Sequence, residues 1–370
     1  MRTVLHLRCS SALLGAENVV LELGELSKQF GFRSIIGVIW DARDPFPELA
    51  QQASQRNLDF EVFRASSKFD LACISSIRHY VAGQDVDIIH SHGYREDIYS
   101  LLAFTGKKKC ATNHLWKKIN FTLKLYAFAD ALCLSKFDLI VAVSRPINQE
   151  MARLPFLRHK RLVTIPNGID IRRFYARSQT TLRQDLAIPQ GTVLMGTLSS
   201  LTPEKGHRYL LEALSILTKD AAEFRLLIAG EGPERQRIGN LAKALRLTSQ
   251  LTFLGTRTDT EQLLAGLDVF VLPSLSEGLP MALLEAMATG LAVVASDVGD
   301  VSQIVHHNET GFLVESGNPK ALADAIRQLL NDPELRRRLG TAAAGFIRDH
   351  YSAQTMARRY CEQYEQLVGD

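Results

Sequence analysis

The stretch Ser276-Glu277-Gly278-Leu279-Pro280-Met281-Ala282-Leu283-Leu284-Glu285-Ala286-Met287-Ala288 decides how this chain is read. A short apolar run at 269–272 precedes it and Gly290 follows it. Proline suits the first helical turn, where its missing N–H has no bond to lose, and glycine suits the position just past a helix end. The spacing predicts a strand, a loop and a helix over 280–289, with Glu277 in the loop and Glu285 on the helix. The N–H groups of Leu279, Met281 and Ala282 then form a backbone anion site at the helix start. A carboxylate accepts two hydroxyl donors in fixed geometry, so Glu277 and Glu285 suit a sugar with paired hydroxyls. The plainer reading makes Glu277 a helix cap and Glu285 a solvated acid. The apolar neighbours Leu283, Leu284, Ala286 and Met287 weigh against it.

Outward from this stretch the same grammar repeats. Strand-like runs at 193–197, 224–229, 251–254, 269–272, 292–296 and 311–314 alternate with helical patterns at 206–217, 233–245, 280–289 and 319–331. The first half has strand-like runs at 3–7, 34–40, 61–64, 87–90, 139–143 and 161–165, with amphipathic stretches at 17–30 and 45–55 between them. Such alternation implies βαβ units and parallel sheets. The expected architecture is α/β, with two Rossmann-like, doubly wound domains facing across a cleft. The expected boundaries are an N-terminal domain over 1–170, a linker over 171–190, a second domain over 191–350 and a helix over 351–370. Doubly wound sheets bind ligands at the carboxyl ends of their strands.

A chain of 370 residues fits two such domains, and 46% hydrophobic with 22% charged content excludes a disordered or coiled-coil chain. Net charge is +3, too small for a protein defined by nucleic-acid binding. The longest uncharged stretch, 186–203, is broken by proline, glycine and polar residues, so no membrane span is read. Five scattered cysteines without a CxxC pair exclude zinc ribbons and thioredoxin chemistry and fit a reducing, cytoplasmic location. Arg8 interrupts the apolar start too early for a signal peptide. Neither half carries G-x-G-x-x-G after its first strand, which sets aside a nicotinamide dehydrogenase.

The quoted stretch resembles the Glu-x7-Glu motif of retaining GT-B-fold glycosyltransferases, in particular family 4. Further matches follow in order: Leu14-Gly15-Ala16-Glu17, His90-Ser91-His92, Thr112-Asn113-His114, Val143-Ser144 and Pro166-Asn167-Gly168-Ile169-Asp170. Pro203-Glu204-Lys205-Gly206, Ala229-Gly230-Glu231-Gly232-Pro233, Phe253-Leu254-Gly255, Ala295-Ser296-Asp297-Val298-Gly299 and Gly311-Phe312-Leu313-Val314 complete the series. The resemblance implies a GT-B fold, and a C-terminal helix crossing back to the first domain. It also implies a hexosyl or related transfer from a nucleotide-diphosphate sugar, UDP- or GDP-linked. The acceptor is a glycan or lipid-linked hydroxyl, as in cell-surface polysaccharide or glycoconjugate synthesis.

Carried over by position, Glu285 holds the nucleotide ribose. Glu277, with the backbone of Gly278, Leu279, Pro280 and Met281, holds the donor sugar and distal phosphate. Lys205 pairs with the pyrophosphate, as its place before Gly206 at a helix start also suggests. Gly232 belongs to the donor side. Gly15 and Ala16 begin a helix whose N–H groups touch the sugar-proximal phosphate, although Leu14 replaces the first of a glycine pair common in the family. His114 matches the histidine that contacts the donor sugar, so His114, Lys205 and Glu277 are the candidate catalytic residues. One departure stands out: the family has arginine five positions before the lysine, and this chain has Ser200. Arg257 or Arg173 is then expected to supply the missing charge.

His92, Tyr94, Arg95 and Trp116 are the candidate acceptor-side residues. His90 and His92 either line that side or pack the floor, and two histidines without a third ligand are no metal site. Asp85 and Asp87 precede a strand rather than follow one, so they are read as no metal motif either. The resemblance implies no metal and no cofactor. No acid lies between Asp97 and Asp130, while Lys107, Lys108, Lys109, Lys117, Lys118 and Lys124 fall there among aromatic residues. This block reads as a solvated basic face or as a peripheral contact with the anionic inner face of a membrane. Two other functions stay open: a nucleotide-sugar epimerase or phosphorylase on the same fold, and a nucleotide-sugar-binding partner subunit weakened by Ser200.

Overall fold

The computed structural model describes residues 1–9, 15–67, 69–103, 105–113, 130–174, 180–218 and 223–369. His114, Trp116, Lys117, Lys118 and Lys124 lie outside the described residues, as does Leu14. The chain divides into two units: Met1–Gly168 with Ala353–Asp370, and Ile169–Ser352.

The first unit is built on strands β1 (Arg2–Arg8), β2 (Phe32–Asp41), β3 (Asp59–Ala65), β4 (Ile88–Ser91), β5 (Lys108–Asn113), β6 (Leu139–Ala142) and β7 (Leu162–Thr164). Among the described residues they form one sheet in the order β3-β2-β1-β4-β5-β6-β7, and every pairing is parallel. The order reverses between β1 and β4, where His6 stands opposite His90. Strands such as β6, with sequence Leu-Ile-Val-Ala, are buried throughout, as parallel strands covered on both faces require.

The second unit repeats the plan with β8 (Val193–Leu198), β9 (Phe224–Ala229), β10 (Leu251–Gly255), β11 (Val269–Leu272), β12 (Ala292–Ser296) and β13 (Phe312–Val314). Their order is β10-β9-β8-β11-β12-β13, so this sheet reverses between β8 and β11. The stretch 171–190, read from sequence as a linker, contributes helices Ile171–Phe174 and Leu182–Asp185 to this unit. Phe174 and Leu182 are buried in its core, which is why the segment holds to it.

The helix Ala353–Gly369 packs in the first unit. Its buried residues Ala353, Met356, Ala357, Tyr360, Cys361, Tyr364 and Leu367 recur at helical spacing and form one stripe. That stripe shares a core with Val4, Val19, Phe32, Ile88 and Val141.

Helix boundaries differ from the sequence reading where proline or a cap acts. Pro280 is not in the helix but precedes it in an extended conformation, and the helix runs Met281–Ala288. Pro280 still feeds it, because its carbonyl accepts from the N–H groups of Leu283 and Leu284. The helix expected from 45 starts at Glu48, after extended Pro47. Helices Leu71–Gly83 and Pro333–His350, not singled out from the sequence, are each opened by an aspartate. Asp70 accepts from the N–H groups of Ala72 and Cys73, and Asp332 from that of Leu335.

Candidate active site

Lys205 ends a short turn after β8, and Glu277 lies in the loop after β11, so both stand where the second sheet reverses. Lys205 Nζ is 2.8 and 2.9 Å from the two carboxylate oxygens of Glu277. Ser274 Oγ donates to Glu277 Oε1 at 2.7 Å, and Ser274 is fully buried. Ser316 Oγ in turn donates to the Ser274 carbonyl at 3.2 Å. Sequence reasoning missed Ser274; its one signal is its place three residues before Glu277.

Backbone holds the same two loops together. Leu275 N–H donates to the Glu204 carbonyl at 2.7 Å. Gly206 has φ +66°, and a Cβ there would lie 2.0 Å from the Pro273 carbonyl oxygen. Only glycine allows that approach in that conformation. Gly232 is likewise pressed on backbone, since a Cβ would lie 2.4 Å from the Leu201 carbonyl oxygen. It shapes the loop after β9 rather than offering a side chain.

The loop Gly278–Pro280 and the helix Met281–Ala288 follow directly. Among the described residues, the N–H groups of Gly278, Leu279, Met281 and Ala282 donate to nothing. They and Lys205 form a cationic rim in which the lysine charge is matched by Glu277. Glu285 lies on the same helix, half-buried. Burial pushes its carboxyl up to about 7, against the pull of Arg173 and with a smaller push from Glu261. Its carboxylate makes no hydrogen bond or ion pair among the described residues, so it is an acceptor without a donor.

The two arginines expected to replace the family arginine are otherwise engaged. Arg257 is held by Asp259, with Nε 2.7 Å from Oδ1, and Arg173 pairs with Glu261 at 3.1 Å. Neither brings an unmatched charge. Ser200 is exposed on the loop after β8.

In the first unit, a cavity of about 370 Å³ opens where β1, β4 and β5 end. Its wall includes His92, Tyr94 and Arg95, together with Arg8, Cys9, Glu96, Asp97 and Asn113. Arg8 is gripped by two buried acids: its Nε donates to Glu17 at 2.7 Å, and its Nη1 lies 3.6 Å from Glu96. Burial raises the Asp97 carboxyl well above the usual range, and the nearby Asp130 charge adds to this. From the sequence Glu17 is quoted only within a motif, and Glu96 and Asp97 are given no role, since they look like ordinary helix residues. Gly15 and Ala16 open the helix Gly15–Leu26, which follows residues outside the description.

His90 and His92 separate in role. His92 lines the cavity, whereas His90 is locked in the core, 2.6 Å from Tyr364 Oη through Nδ1 and 2.7 Å from Thr112 Oγ1 through Nε2. The structure also adds His6, whose Nδ1 lies 3.1 Å from His92 Nε2 and whose Nε2 lies 3.2 Å from Ser34 Oγ. The three imidazoles are fully buried and close enough to suggest a metal triad. His6 is the third imidazole that the reading of His90 and His92 lacked, and the nitrogens of His6 and His90 lie within hydrogen-bond distance of His92, Ser34, Tyr364 and Thr112. Burial holds the His6 imidazole neutral, with its pKa lowered to about 3. Asp87, by contrast, is spent on the sheet, accepting from the N–H of Thr3 at 2.7 Å.

Two sheets that each reverse their strand order, with an acid and a lysine joined at the second reversal and a bare helix start beside them, are the arrangement that the resemblance to GT-B glycosyltransferases implies. Comparison with known proteins agrees. The family described as Glycosyltransferase Family 4 matches residues 14–173, and that described as Glycosyl transferases group 1 matches 178–346. The chain belongs to the family 4 glycosyltransferases and is a transferase enzyme. It is 26% identical to the N-acetyl-alpha-D-glucosaminyl L-malate synthase of Bacillus anthracis, over 82% of this chain and 80% of that one. It is 27% identical to the O-antigen biosynthesis glycosyltransferase WclY of Escherichia coli, over 76% of this chain and 79% of that one. Its fold matches that of Anabaena Alr3699/HepE, crystallised with UDP and glucose, at a TM-score of 0.80 and 21% identity, covering 99% and 100% of the two chains. Among the described residues no helix is long and apolar enough to cross a membrane.

Proposed function

We propose that this enzyme transfers a sugar, with retention at the anomeric carbon, from a UDP- or GDP-linked donor to a hydroxyl of a glycan or lipid-linked acceptor. The Lys205–Glu277 pair beside the unpartnered N–H groups at the start of Met281–Ala288 carries this reading. A nucleotide diphosphate brings negative charge to Lys205 and the N–H groups, and ribose hydroxyls meet the donor-free carboxylate of Glu285. Glu277, released from Lys205 by the incoming phosphate, accepts from hydroxyls of the transferred sugar. HepE, crystallised with UDP and glucose, makes UDP the first donor to try.

In the proposed step the bond from the anomeric carbon to the phosphate oxygen breaks. The acceptor oxygen then joins on the face the phosphate leaves, and its proton passes to the departing phosphate. The chain contributes positioning and stabilisation of the leaving diphosphate by Lys205 and the helix start, and we assign no metal or cofactor to it. His114, through the family resemblance, contacts the donor sugar. The cavity at the ends of β1, β4 and β5, with His92, Tyr94 and Arg95, takes the acceptor.

A thermal-shift panel of UDP-, GDP- and ADP-sugars tests the donor, since a ligand of the native state raises Tm by mass action. One nucleotide series is expected to stabilise; no shift with any of them defeats the donor assignment. The anomeric configuration of the product, read by NMR, tests retention. The exposed Ser200, with Arg257 and Arg173 both paired, favours one second reading, a subunit that binds donor without turnover. Donor-induced stabilisation with no nucleotide released across an acceptor pool would select it.

A further inference from the structure

Residues two apart on a strand present their side chains on one face of the sheet. His90 lies on β4, and His92, one residue past its end, extends the ladder by donating its N–H to the Leu7 carbonyl at 3.1 Å. The neighbouring strand β1 sets His6 directly opposite His90. The ring centroids of His90 and His92 are 4.0 Å apart, and those of His6 and His92 are 5.4 Å apart. One nitrogen from each ring falls in a group whose members all lie within 4.8 Å of one another, and the three residues are fully buried.

The outer contacts of these rings suit ligation by the inner nitrogens. His6 Nδ1 faces His92 Nε2 at 3.1 Å, which leaves His6 Nε2 to donate to Ser34 Oγ at 3.2 Å. His90 is held by the hydroxyls of Tyr364 and Thr112, and Tyr360 Oη lies 3.0 Å from that of Thr112. Outer partners of this kind fix the tautomer and the orientation of a metal-binding imidazole. A zinc ion sits about 2.1 Å from each nitrogen and spaces its ligands about 3.4 Å apart, so ring rotations of about an ångström complete the set. The ion takes the place of the His6–His92 contact and of one hydroxyl contact of His90. A neutral imidazole has a single N–H, and each ring keeps it on the outer nitrogen. Imidazole nitrogens suit Zn2+, Co2+, Ni2+ or Cu2+, whereas Mg2+, Mn2+ and Ca2+ seek oxygen. His92 also walls the cavity at the strand ends, together with Asn113, whose Oδ1 is buried without a hydrogen-bond partner among the described residues. Three imidazoles leave one tetrahedral position open, and a water entering it from the cavity has Asn113 there as an acceptor.

We propose that His6, His90 and His92 bind a divalent transition-metal ion of the zinc class at the floor of this cavity. The ion fastens β1 to β4 where the first sheet reverses its order and takes its fourth ligand from the cavity. This site is separate from the step assigned to Lys205 and Glu277, to which no metal is assigned, so its test does not depend on turnover.

The test is equilibrium dialysis of the untagged, chelator-treated full chain against Zn2+, Co2+ or Mg2+, with the retained metal measured by mass spectrometry. The chain is expected to retain a single equivalent of Zn2+ or Co2+ and no Mg2+. X-ray absorption at the zinc edge is expected to show imidazole nitrogen and no sulfur. His92→Gln is expected to weaken retention by more than about a hundredfold, beyond the range for loss of an outer partner. Ser34→Ala, which removes only the hydroxyl behind His6, is expected to weaken it about 10- to 100-fold. Circular dichroism melts of the metal-free variants check that they fold. His306→Gln with His350→Gln removes two imidazoles packed on Phe346 in the second unit and is expected to leave retention unchanged. No saturable uptake of Zn2+ or Co2+ overturns the proposal. So do sulfur ligands at the zinc edge, undiminished retention in Ser34→Ala or in folded His92→Gln, or loss of retention in the His306 and His350 variant.

Discussion

Lys205 and Glu277, 72 residues apart in the chain, are joined by two contacts of 2.8 and 2.9 Å from one ammonium to one carboxylate. In the proposed reaction this pair is the resting state, and Lys205 trades its partner for a diphosphate. Lys205→Ala should weaken nucleotide-sugar binding about 10- to 150-fold, the range for losing a charged hydrogen bond. Glu277→Gln frees the lysine and should tighten binding of the bare nucleotide, while lowering transfer by about 100-fold or more, because the sugar loses its acceptor. Titration calorimetry with nucleotide beside initial-rate kinetics separates the two effects. Equal losses in both assays for Glu277→Gln would falsify the assignment.

Ser274 touches neither nucleotide nor acceptor in this reading, but it orients Glu277 through a 2.7 Å bond made in the core. Its loss should therefore appear in kcat more than in KM. Ser274→Ala is expected to lower kcat about 5- to 10-fold, in line with about 1 kcal/mol for one hydrogen bond, with Ser274→Thr restoring it. A rise in donor KM at constant kcat would instead place Ser274 in binding.

Ser200 stands where the family carries arginine, and Arg257 and Arg173 are each paired with a carboxylate. Ser200→Arg should tighten donor binding about tenfold, as expected for one added charge-assisted bond to phosphate. Unchanged affinity by calorimetry sinks the placement of residue 200 beside the phosphates.

The Glu285 carboxyl, raised by burial from 4.5 to about 7, imposes a pH dependence whose sign is fixed. Between those values the folded chain keeps a proton that the unfolded chain has released. Stability from this group is thus present below the unfolded pKa and declines as pH rises towards 7. Glu285→Gln should raise Tm at pH 8 and leave it unchanged near pH 4, read by circular dichroism melts. If ribose hydroxyls bind the ionised carboxylate, nucleotide binding near pH 6.5 releases a proton. Calorimetry in buffers of different ionisation enthalpy measures it.

Tyr364→Phe removes the hydroxyl 2.6 Å from His90 Nδ1 and with it a hydrogen bond made in the core. The expected loss is about 1–3 kcal/mol in urea denaturation. His90→Phe combined with Tyr364→Phe should cost less than the sum of the single changes, since both act on one bond.

The βαβ grammar and the Glu277–Glu285 helix were legible because they rest on local spacing: apolar runs, Pro280 and Gly290. The Lys205 turn was legible through Gly206, whose conformation the close approach to Pro273 demands. What sequence could not show depends on long-range juxtaposition. His90 meets Tyr364 across 274 residues, and His6 completes a cluster that a reading of His90 and His92 alone could not anticipate. Glu17, Glu96 and Asp97 carry charges that predict a surface; they are buried because Arg8, Cys9 and Ser91 satisfy them. The pairing of Arg257 with Asp259 and of Arg173 with Glu261 was likewise hidden. An arginine near a phosphate motif looks free until its carboxylate is found.

The helix Ala353–Gly369 belongs to the unit that Met1 begins. A ribosome issues the chain from its amino terminus, so residues 169–352 are all made before the segment that closes the first core exists. The second unit, continuous in sequence, has what it needs to fold first, while the earlier-made half waits with Val4, Phe32 and Val141 uncovered. Losing the helix Ala353–Gly369 therefore strikes the earliest-made part of this polypeptide, and the nascent first half is the stretch that a chaperone has most reason to hold.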